Sequence, residues 1–278
     1  QVLIVSPRWE GVKASMVEKF VPGAKIVLVP GVRPFFYPDV KFGSLTPKSL
    51  SDVNKFKPDI IHFHTPGFMG LEATLLARIL KIPLVTTFHT YYMEPEGFAA
   101  IGLKENGAIS KVLQDSLWKV SETVHKPCDV VIAPTQFVEQ DLHQRWEGVV
   151  IKEITGAVEL SAFAKHSHRR SLRKKYGFDK EVLFMSVGRL SPEKHYDILI
   201  TAFSMILMKH PMARLVFVGG GAIKSELEYI CRVLGIEHAV KFIGEVSYAE
   251  LTSKNYYSMG DVFVTPSTWE TQGLSVVE

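Results

Sequence analysis

Short runs of apolar, mostly β-branched residues alternate with longer amphipathic segments along the chain. In the first half these runs cover residues 2–5, 25–29, 59–63, 84–88, 129–133 and 149–153. In the second half they cover residues 182–187, 215–218, 240–243 and 261–265. The runs are almost continuously apolar, which is typical of parallel strands buried on both faces. The alternation predicts an α/β protein whose parallel sheets are covered by helices.

The helical segments between these runs carry apolar residues at the spacing of a buried helix face. Leu71, Leu75 and Ile79 repeat every four residues. A longer segment at 109–125 carries Val112, Trp118, Val120 and Val124. We expect these residues to pack in the core.

The strand–helix scheme occurs twice, which predicts two doubly wound, Rossmann-like domains. The predicted division places residues 1–158 in an N-terminal domain and residues 159–278 in a C-terminal domain. Soon after it, residues 165–175 are rich in lysine and arginine. Such a run is usually the solvated face of a helix. Contact with anionic lipid headgroups is the alternative.

Composition narrows the class of protein further. The 278 residues are 46% hydrophobic and 22% charged, which excludes collagen, coiled coils and disordered chains. A net charge of +3 is too small for nucleic-acid binding driven by bulk charge. Cys128 and Cys231 cannot supply a disulfide framework and fit a reducing compartment. No apolar run reaches the roughly 18 residues of a membrane span, and no signal peptide is visible.

In open parallel sheets, ligands bind beyond the carboxyl ends of the strands. The run at 182–187 is followed by GRLSPEK at 188–194 and then by a helical segment. Gly188 permits close approach of the backbone to a ligand, and Arg189 and Lys194 add two cations at a helix N-terminus. This combination suits a diphosphate. Surface salt bridging is the alternative interpretation of the loop.

Two further loops follow predicted strands. Gly219, Gly220 and Gly221 permit a sharp turn after the run at 215–218. A loop after the run at 261–265 contains Glu270, and Glu278 lies eight residues further on. If Gly273 opens a helix, one carboxylate lies before the helix and the other lies inside it. The two carboxylates could then accept hydrogen bonds from sugar and ribose hydroxyls.

Other chemistries have little support in the sequence. The nicotinamide-type motif G-x-G-x-x-G is absent after the run at 182–187, and so are hydrolase and zinc-site motifs. His62 and His64 end one predicted strand and His89 follows another, where each histidine is either a ligand contact or a hydrogen-bonded loop anchor.

Four motifs occur in an order typical of one enzyme family. They are PDIIHFHTP at 58–66, FHTYY at 88–92, GRLSPEK at 188–194 and ETQGL at 270–274. With the spacing of Glu270 and Glu278, they resemble the retaining glycosyltransferases of family four, which have the GT-B fold. Within that family they are most similar to diacylglycerol glucosyltransferases of the monoglucosyldiacylglycerol synthase type. The resemblance covers essentially the whole chain and implies two Rossmann-like domains that face each other across a cleft.

The resemblance also implies residue roles. The catalytic residues would be Arg189 and Lys194, which neutralise the donor diphosphate, Glu270, which holds the donor sugar, and His89, near the reacting centre. Glu278 would hold the ribose. Further donor contacts are implied at Gly188, Gly219, Gly220, Lys241, Phe242, Ile243, Gly244, Gln272, Gly273 and Leu274. Of these, residues 241–244 would contact the base, largely through their backbone. Acceptor contacts are implied at Gly11, His64, Tyr91 and Tyr92. No metal ion or cofactor is expected, and His195 stands where the family commonly has Gly or Asn.

The expected reaction is transfer of a hexose, glucose in the first instance, from a UDP-sugar to diacylglycerol or a related lipid. The expected location is the cytoplasmic face of a membrane, bound peripherally to an anionic surface, with residues 98–104 towards the acceptor. The sequence leaves three alternatives open. They are a soluble acceptor such as a sugar or inositol phosphate, a sugar-nucleotide-binding protein without turnover, and a GT-B epimerase.

Overall fold

The computed structural model describes residues 1–18, 21–33, 41–64, 66–94, 107–163, 168–268 and 270–278. They form two compact units, Gln1–Thr155 and Gly156–Glu278. The division lies a few residues before the predicted one at 158/159. Residues 98–104, expected to face the acceptor, and residues 165–167 of the basic run lie outside the described residues.

The parallel strands of the N-terminal unit form two sheets. β1 (Leu3–Pro7) pairs with β2 (Lys25–Val29). A second sheet contains, in spatial order, β5 (Ile61–Phe63), β6 (Leu84–Thr87), β7 (Val130–Ala133) and β8 (Ile151–Glu153). Between β2 and β5 in chain order lie β3 (Gly31–Val32) and β4 (Phe42–Gly43). They form a short antiparallel pair that the sequence did not predict. The parallel strands lie where the apolar runs predict them.

Five helices are described in this unit: α1 (Ala14–Glu18), α2 (Pro47–Phe56), α3 (Phe68–Leu80), α4 (Gly107–His125) and α5 (Gln136–Arg145). α2 begins at a capping box in which Thr46 and Ser49 bond each other's backbone N–H. Because β5 to β8 are parallel and adjacent in chain order, right-handed crossovers place α3, α4 and α5 on one face of their sheet.

An aromatic cluster forms much of the core of the N-terminal unit. Phe88 is 2% exposed, and its ring centroid lies 5.1 Å from that of Tyr91 and 5.7 Å from that of Trp146. Trp118 of α4 stacks on the same ring at 6.4 Å. The prediction that Trp118 packs in the core is therefore confirmed.

The prediction that the apolar stripe of α3 is buried is wrong. Leu71, Leu75 and Ile79 are 54%, 61% and 66% exposed. The buried residues of the helix are the small Gly70 and Ala77, which let the backbone approach its neighbours closely. The large side chains therefore point outwards. Two of the expected core residues of α4, Val112 and Val120, are exposed as well.

The sheet of the C-terminal unit reverses its strand order. Its strands are β9 (Val182–Val187), β10 (Ala213–Val218), β11 (Val240–Gly244) and β12 (Val262–Phe263), and all the pairs are parallel. The spatial order is β11-β10-β9-β12. The chain thus moves away from β9 in one direction through β10 and β11, and then returns to the other edge of β9. That reversal is the topological switch point of the sheet.

Helices cover both faces of this sheet, as the doubly wound prediction requires. They are α6 (Leu160–Phe163), α7 (Arg169–Tyr176), α8 (Tyr196–Lys209), α9 (Lys224–Val233), α10 (Tyr248–Ser253) and α11 (Leu274–Val277), with 3₁₀ turns at Pro192–Lys194, Glu237–Ala239 and Tyr256–Met259. Leu215 and Phe217 of β10 pack with Tyr196 in one cluster, and Val216 and Val218 pack in another. Among the helices of the described segments, none is long and apolar enough to cross a membrane.

The basic helix α7 is only partly a solvated face. Arg173 is 9% exposed and donates to the carbonyls of Met259 and Glu181. Arg169 donates to the carbonyls of Ser258 and Gly260, and both guanidinium groups pair with Asp261. The expectation of a fully solvated basic face is therefore wrong for these two residues, because they bind the chain that leads into β12.

Asp261 is the anionic centre of this network. Burial alone raises the pKa of its carboxyl. The backbone N–H of Leu183, at 2.8 Å, and the guanidinium groups of Arg169 and Arg173 outweigh that effect and hold the pKa below its usual value. Stability from this carboxylate is present above the pKa of an unfolded aspartate and is lost as pH falls through the lower folded value.

We predict that Asp261→Asn lowers the free energy of unfolding of the C-terminal unit by about 1–3 kcal/mol, because Arg173 loses its anionic partner. The variant should also lose part of the acid-induced destabilisation below about pH 4. Urea unfolding at pH 7 and pH 3 measures both effects. Asp115→Asn, on the exposed side of α4, is the matched control. Equal stability of Asp261→Asn and wild type at pH 7 would contradict the structural role of the network.

Candidate active site

The carboxyl ends of β9, β10 and β11 are held together by backbone hydrogen bonds. Gly188 N–H donates to the carbonyl of Val218 at 3.0 Å, and Gly219 N–H donates to that of Gly244 at 2.9 Å. A Cβ on Gly219 would lie 1.9 Å from the Gly188 carbonyl oxygen, so only glycine fits there. The two loops predicted to approach a ligand are therefore packed against each other at one edge of the sheet.

The loop after β9 ends in a tight turn. Pro192 opens the 3₁₀ turn, and His195 follows it with a φ of 52°, in the left-handed region. That conformation explains why Gly or Asn is common at this position in the resembled family. Tyr196 then begins α8, so Arg189 and Lys194 both lie just before a helix N-terminus, as predicted.

Lys194 and Glu270 form an ion pair across the switch point. The Lys194 ammonium donates to Glu270 Oε1, and the two side chains are 21% and 33% exposed. Lys194 follows β9 and Glu270 follows β12, which are neighbours in the sheet. The structure therefore brings together two of the predicted catalytic residues.

Arg189 has an acidic partner that the sequence analysis missed. Its Nη2 lies 2.9 Å from Oε1 of Glu193, whose side chain is 1% exposed. Glu193 stands inside the GRLSPEK motif, but an acid between cations reads as an ordinary surface charge in a sequence. Its burial is visible only in the folded loop.

The second predicted acid also has a partner. Gly273, with a φ of 64°, precedes α11 as predicted, and Leu274 is its first residue. Glu278 follows α11, and its Oε2 accepts from the hydroxyl of Tyr257 at 2.5 Å. Burial and the hydrogen bond to Glu278 raise the pKa of Tyr257. Sequence reasoning missed Tyr257, because nothing in its local pattern marks it.

Two predicted donor contacts are already engaged in other ways. Gln272 accepts from the backbone N–H of Gly156 at 3.1 Å and donates to the Gly156 carbonyl at 2.9 Å. Its side chain therefore binds the first residue of this unit, and only its backbone is left to contact a sugar donor. The Phe242 ring stacks on Phe217 at 5.0 Å, so its side chain belongs to the core.

The predicted base-binding strand is β11. Gly220 lies beside the carboxyl end of β11, because a Cβ added to Gly220 would contact the side chain of Glu245. Ile243 packs in the second core cluster, and Lys241 is paired with Val216 within the sheet. Only Gly244 stands at the carboxyl end. Contact with a base through the backbone of this strand stays a prediction.

In the N-terminal unit, three histidines cluster at the carboxyl ends of β5 and β6. His64 Nδ1 lies 2.9 Å from His89 Nε2, and His62 Nε2 lies 2.8 Å from the hydroxyl of Thr87. The rings of His62 and His64 have centroids 4.2 Å apart. His64 and His89 are thus brought together, and His62 anchors the strand end.

These imidazoles are shifted towards the neutral form. Burial, with His64 and His89 nearby, lowers the pKa of His62 to about 4. Burial lowers the pKa of His64, and burial together with His64 lowers the pKa of His89. Protonated forms of neighbouring imidazoles repel each other, which is consistent with these directions.

The other predicted acceptor residues differ in their surroundings. Tyr91 is 8% exposed and belongs to the aromatic cluster, where burial and Asp141 raise its pKa. Contact of Tyr91 with an acceptor stays a prediction. Burial also raises the pKa of Tyr92, which is half-buried. Gly11 lines a cavity of about 800 Å³ with residues of the loop after β1 and of α2. Among the described residues, no group of three His, Cys, Asp or Glu side chains is arranged to hold a metal ion.

Comparison with known proteins identifies the family. A family model described as Glycosyltransferase Family 4 matches residues 1–152, and one described as Glycosyl transferases group 1 matches residues 168–278. The chain belongs to glycosyltransferase family 4. This confirms the resemblance in the sequence.

The names of curated relatives describe several different synthases and transferases. The alpha-monoglucosyldiacylglycerol synthase of Streptococcus pneumoniae is 31% identical over 260 residues, which cover 91% of this chain and 57% of the relative. The sulfoquinovosyl transferase SQD2 of Arabidopsis thaliana is 29% identical, over 92% of this chain and 48% of the relative. The mannosylfructose-phosphate synthase of Agrobacterium fabrum is 31% identical, over 75% and 48%. The chain thus spans about half the length of the relatives it matches.

Solved structures share the fold of this chain. The Anabaena protein HepE in complex with UDP and glucose matches with a TM-score of 0.69 and 21% identity, over 96% of this chain and 66% of that one. Sucrose-phosphate synthase of Thermosynechococcus elongatus matches with a TM-score of 0.69 and 15% identity, over 100% and 78%. These likenesses confirm the GT-B fold of the glycosyltransferase.

We predict that His64→Asn in this glycosyltransferase raises the pKa of His89 towards its ordinary value, because a neighbouring imidazole is removed. Titration of the histidine ring nitrogens by NMR measures the shift, with His143→Asn on α5 as the control. An unchanged His89 titration in His64→Asn would contradict their coupling. In the wild type, the N-terminal unit should lose stability as pH falls from about 6.5 towards 4, because the unfolded chain then binds more protons at His62.

Proposed function

We propose that the protein is a retaining glycosyltransferase that moves glucose from UDP-glucose to diacylglycerol or a related lipid. The observation that carries the proposal is the pairing of Lys194 with Glu270 at the switch point of the sheet, on the same loop as Arg189. Open α/β sheets bind ligands at such points. Two cations there suit a diphosphate, and an acid beside them suits sugar hydroxyls.

In the proposed reaction, the bond from sugar C1 to the β-phosphate oxygen breaks and C1 bonds to the acceptor oxygen. The acceptor proton passes to the released diphosphate. Arg189 and Lys194 compensate the negative charge that develops on the leaving group, which is the kind of electrostatic stabilisation that contributes most to catalysis. No bound metal ion takes part in the proposed step.

The ion pair of Lys194 with Glu270 has a role before the donor binds. Each side chain neutralises the other, and both are open to solvent. A diphosphate attracts Lys194 more strongly than a single carboxylate does, because it carries more charge. Glu270 is then released to accept hydrogen bonds from the sugar. We therefore propose that the donor replaces an internal ion pair.

A lipid acceptor is supported by the relatives and by the surface of α3. Curated monoglucosyldiacylglycerol synthases of Streptococcus pneumoniae and Acholeplasma laidlawii are 31% and 27% identical. The outer side of α3 exposes Phe68, Leu71, Leu75 and Ile79, and the exposed Arg78 and Lys81 lie at its end. Apolar side chains next to basic ones favour the interface of an anionic membrane. We propose peripheral binding to such a surface.

A soluble acceptor is the second candidate. The mannosylfructose-phosphate synthase of Agrobacterium fabrum is 31% identical to this chain, and its name describes a soluble sugar phosphate product. The donor site proposed above would serve either acceptor. The acceptor assay therefore has to decide between them.

The test supplies radiolabelled UDP-glucose, UDP-galactose or GDP-mannose with either diacylglycerol in anionic liposomes or fructose 6-phosphate. We expect a glucosylated lipid from UDP-glucose, identified by mass spectrometry. Lys194→Ala and Glu270→Gln should each lower the rate by roughly 100-fold or more, because a charge that acts on the transition state is removed. Lys224→Ala, in an exposed ion pair on α9, is the control and should react normally.

The alternatives give different results in the same assay. Sugar transfer to fructose 6-phosphate without a lipid product would contradict the lipid acceptor. Transfer from GDP-mannose alone would contradict the donor. Unchanged rates in both Lys194→Ala and Glu270→Gln would contradict the site itself.

A further inference from the structure

The two cations of the loop after β9 have acidic partners that differ in burial. Glu193, which pairs with Arg189, has a side chain that is 1% exposed. Glu270, which pairs with Lys194, is 33% exposed. An exposed ion pair exchanges partners easily, whereas a buried carboxylate that leaves its cation loses solvation that nothing replaces. Arg189 therefore stays with Glu193, while Lys194 is able to change its partner.

The Glu193 carboxylate is bonded at one oxygen only. Oε1 accepts from Arg189 Nη2 at 2.9 Å and from the hydroxyl of Ser191 at 2.6 Å. Oε2 is buried and has no hydrogen-bond partner within the described part of the chain. A buried carboxylate with an unpaired oxygen weakens a fold. The burial of Glu193 therefore calls for a reason other than stability.

The backbone that carries Glu193 is fixed on both sides. The N–H of Lys194 donates to the Ser191 carbonyl at 3.1 Å, and the N–H of His195 donates to that of Pro192 at 3.1 Å. On the other side, Leu190 N–H donates to the Gly220 carbonyl at 2.7 Å. The carboxylate is thus mounted on a turn that has little freedom to move.

We propose that Glu193 is a positioning residue that fixes the plane of the Arg189 guanidinium so that it faces the donor diphosphate. The inference rests on the proposed function, because it takes Arg189 as a ligand of that diphosphate. A guanidinium is a planar fork that binds phosphate oxygens in a defined orientation. Holding the fork in place in advance reduces the freedom lost when the donor binds. Glu193 acts through Arg189 rather than on the donor itself.

The proposal predicts the sign of an effect. As a negative charge near an anion, Glu193 opposes diphosphate binding, so its neutralisation should strengthen that binding. As a positioning group, it supports binding, so the same change should weaken it. Glu193→Gln keeps the size of the side chain and one acceptor oxygen, removes the charge, and replaces the other oxygen with an amide NH2 group. The direction of the change in UDP affinity therefore separates the two effects.

The experiment measures binding of UDP and of uridine by calorimetry to wild type, Glu193→Gln, Arg189→Ala and the double variant. We expect Glu193→Gln to bind UDP roughly ten-fold more weakly, with uridine affinity unchanged. In the Arg189→Ala background, Glu193→Gln should change UDP affinity by less than about two-fold, because Glu193 acts through Arg189. Glu228→Gln, the partner of Lys224 in an exposed pair at 3.6 Å, is the matched control and should bind like wild type.

UDP binding to Glu193→Gln that is as tight as in wild type, or tighter, would overturn the inference. Independent, additive losses in the double variant would overturn it too, because they would show that Glu193 acts without Arg189. Both outcomes leave the proposed function intact as long as wild type prefers UDP to uridine.

If wild type binds UDP no better than uridine, the proposed function is contradicted. The ion pair of Arg189 with Glu193 is then tested by thermal stability alone. Arg189→Ala leaves a buried carboxylate without its cation, whereas Glu193→Gln leaves an arginine that is 38% exposed and can be solvated. The melting temperature should therefore fall by about 5 °C more in Arg189→Ala than in Glu193→Gln. Equal melting temperatures would contradict the pairing of Arg189 with Glu193 as well.

Discussion

The return of one strand to the far edge of β9 is the constraint on which the candidate site depends. Parallel strands align their carboxyl ends along one edge of a sheet, so residues distant in sequence meet there. Lys194 and Glu270 are 76 residues apart and touch only because β12 pairs with β9 rather than extending the sheet beyond β11. Asp261, held by Arg169 and Arg173, fixes the chain at the start of that strand. Helix α7, which carries both arginines, thus helps to hold in place the strand that leads to Glu270.

Close backbone packing contributes as much as charge to the site. Gly219 and Gly221 lie so near the carbonyls of Gly188 and Leu190 that a side chain on either would overlap them. The loops after β9 and β10 therefore form one layer, in which Leu190 is bonded to Gly220 and Ile223 to Leu190. The cations of the first loop gain a rigid support from a loop that carries no charge itself.

The sequence predicted what depends on local pattern and failed where tertiary packing decides. Continuous apolar runs located the parallel strands, and the loops after them located Arg189, Lys194 and Glu270, because strand ends are set by the chain itself. Leu71 and Ile79 have the spacing of a core face, but the small Gly70 and Ala77 occupy that face instead. Periodicity reports that a helix has two sides and does not say which side finds a partner. The burial of Tyr91 and the clasp between Gln272 and Gly156 depend on residues that pattern alone cannot bring together.

Burial also distinguishes the two ion pairs that the cations of one loop form. Both pairs join a cation to a carboxylate, and a sequence cannot rank them. Water competes for Glu270, so Lys194 is held weakly enough to exchange its partner for a ligand. Glu193 is 1% exposed, and under the proposal above Arg189 would keep one orientation whether or not a ligand is present. The proposed site needs one exchangeable cation and one fixed cation. A fixed cation cannot follow the leaving group, and an exchangeable cation cannot define where the diphosphate binds. The two requirements are met because Glu193, within the loop, is buried and Glu270, after β12, is more exposed.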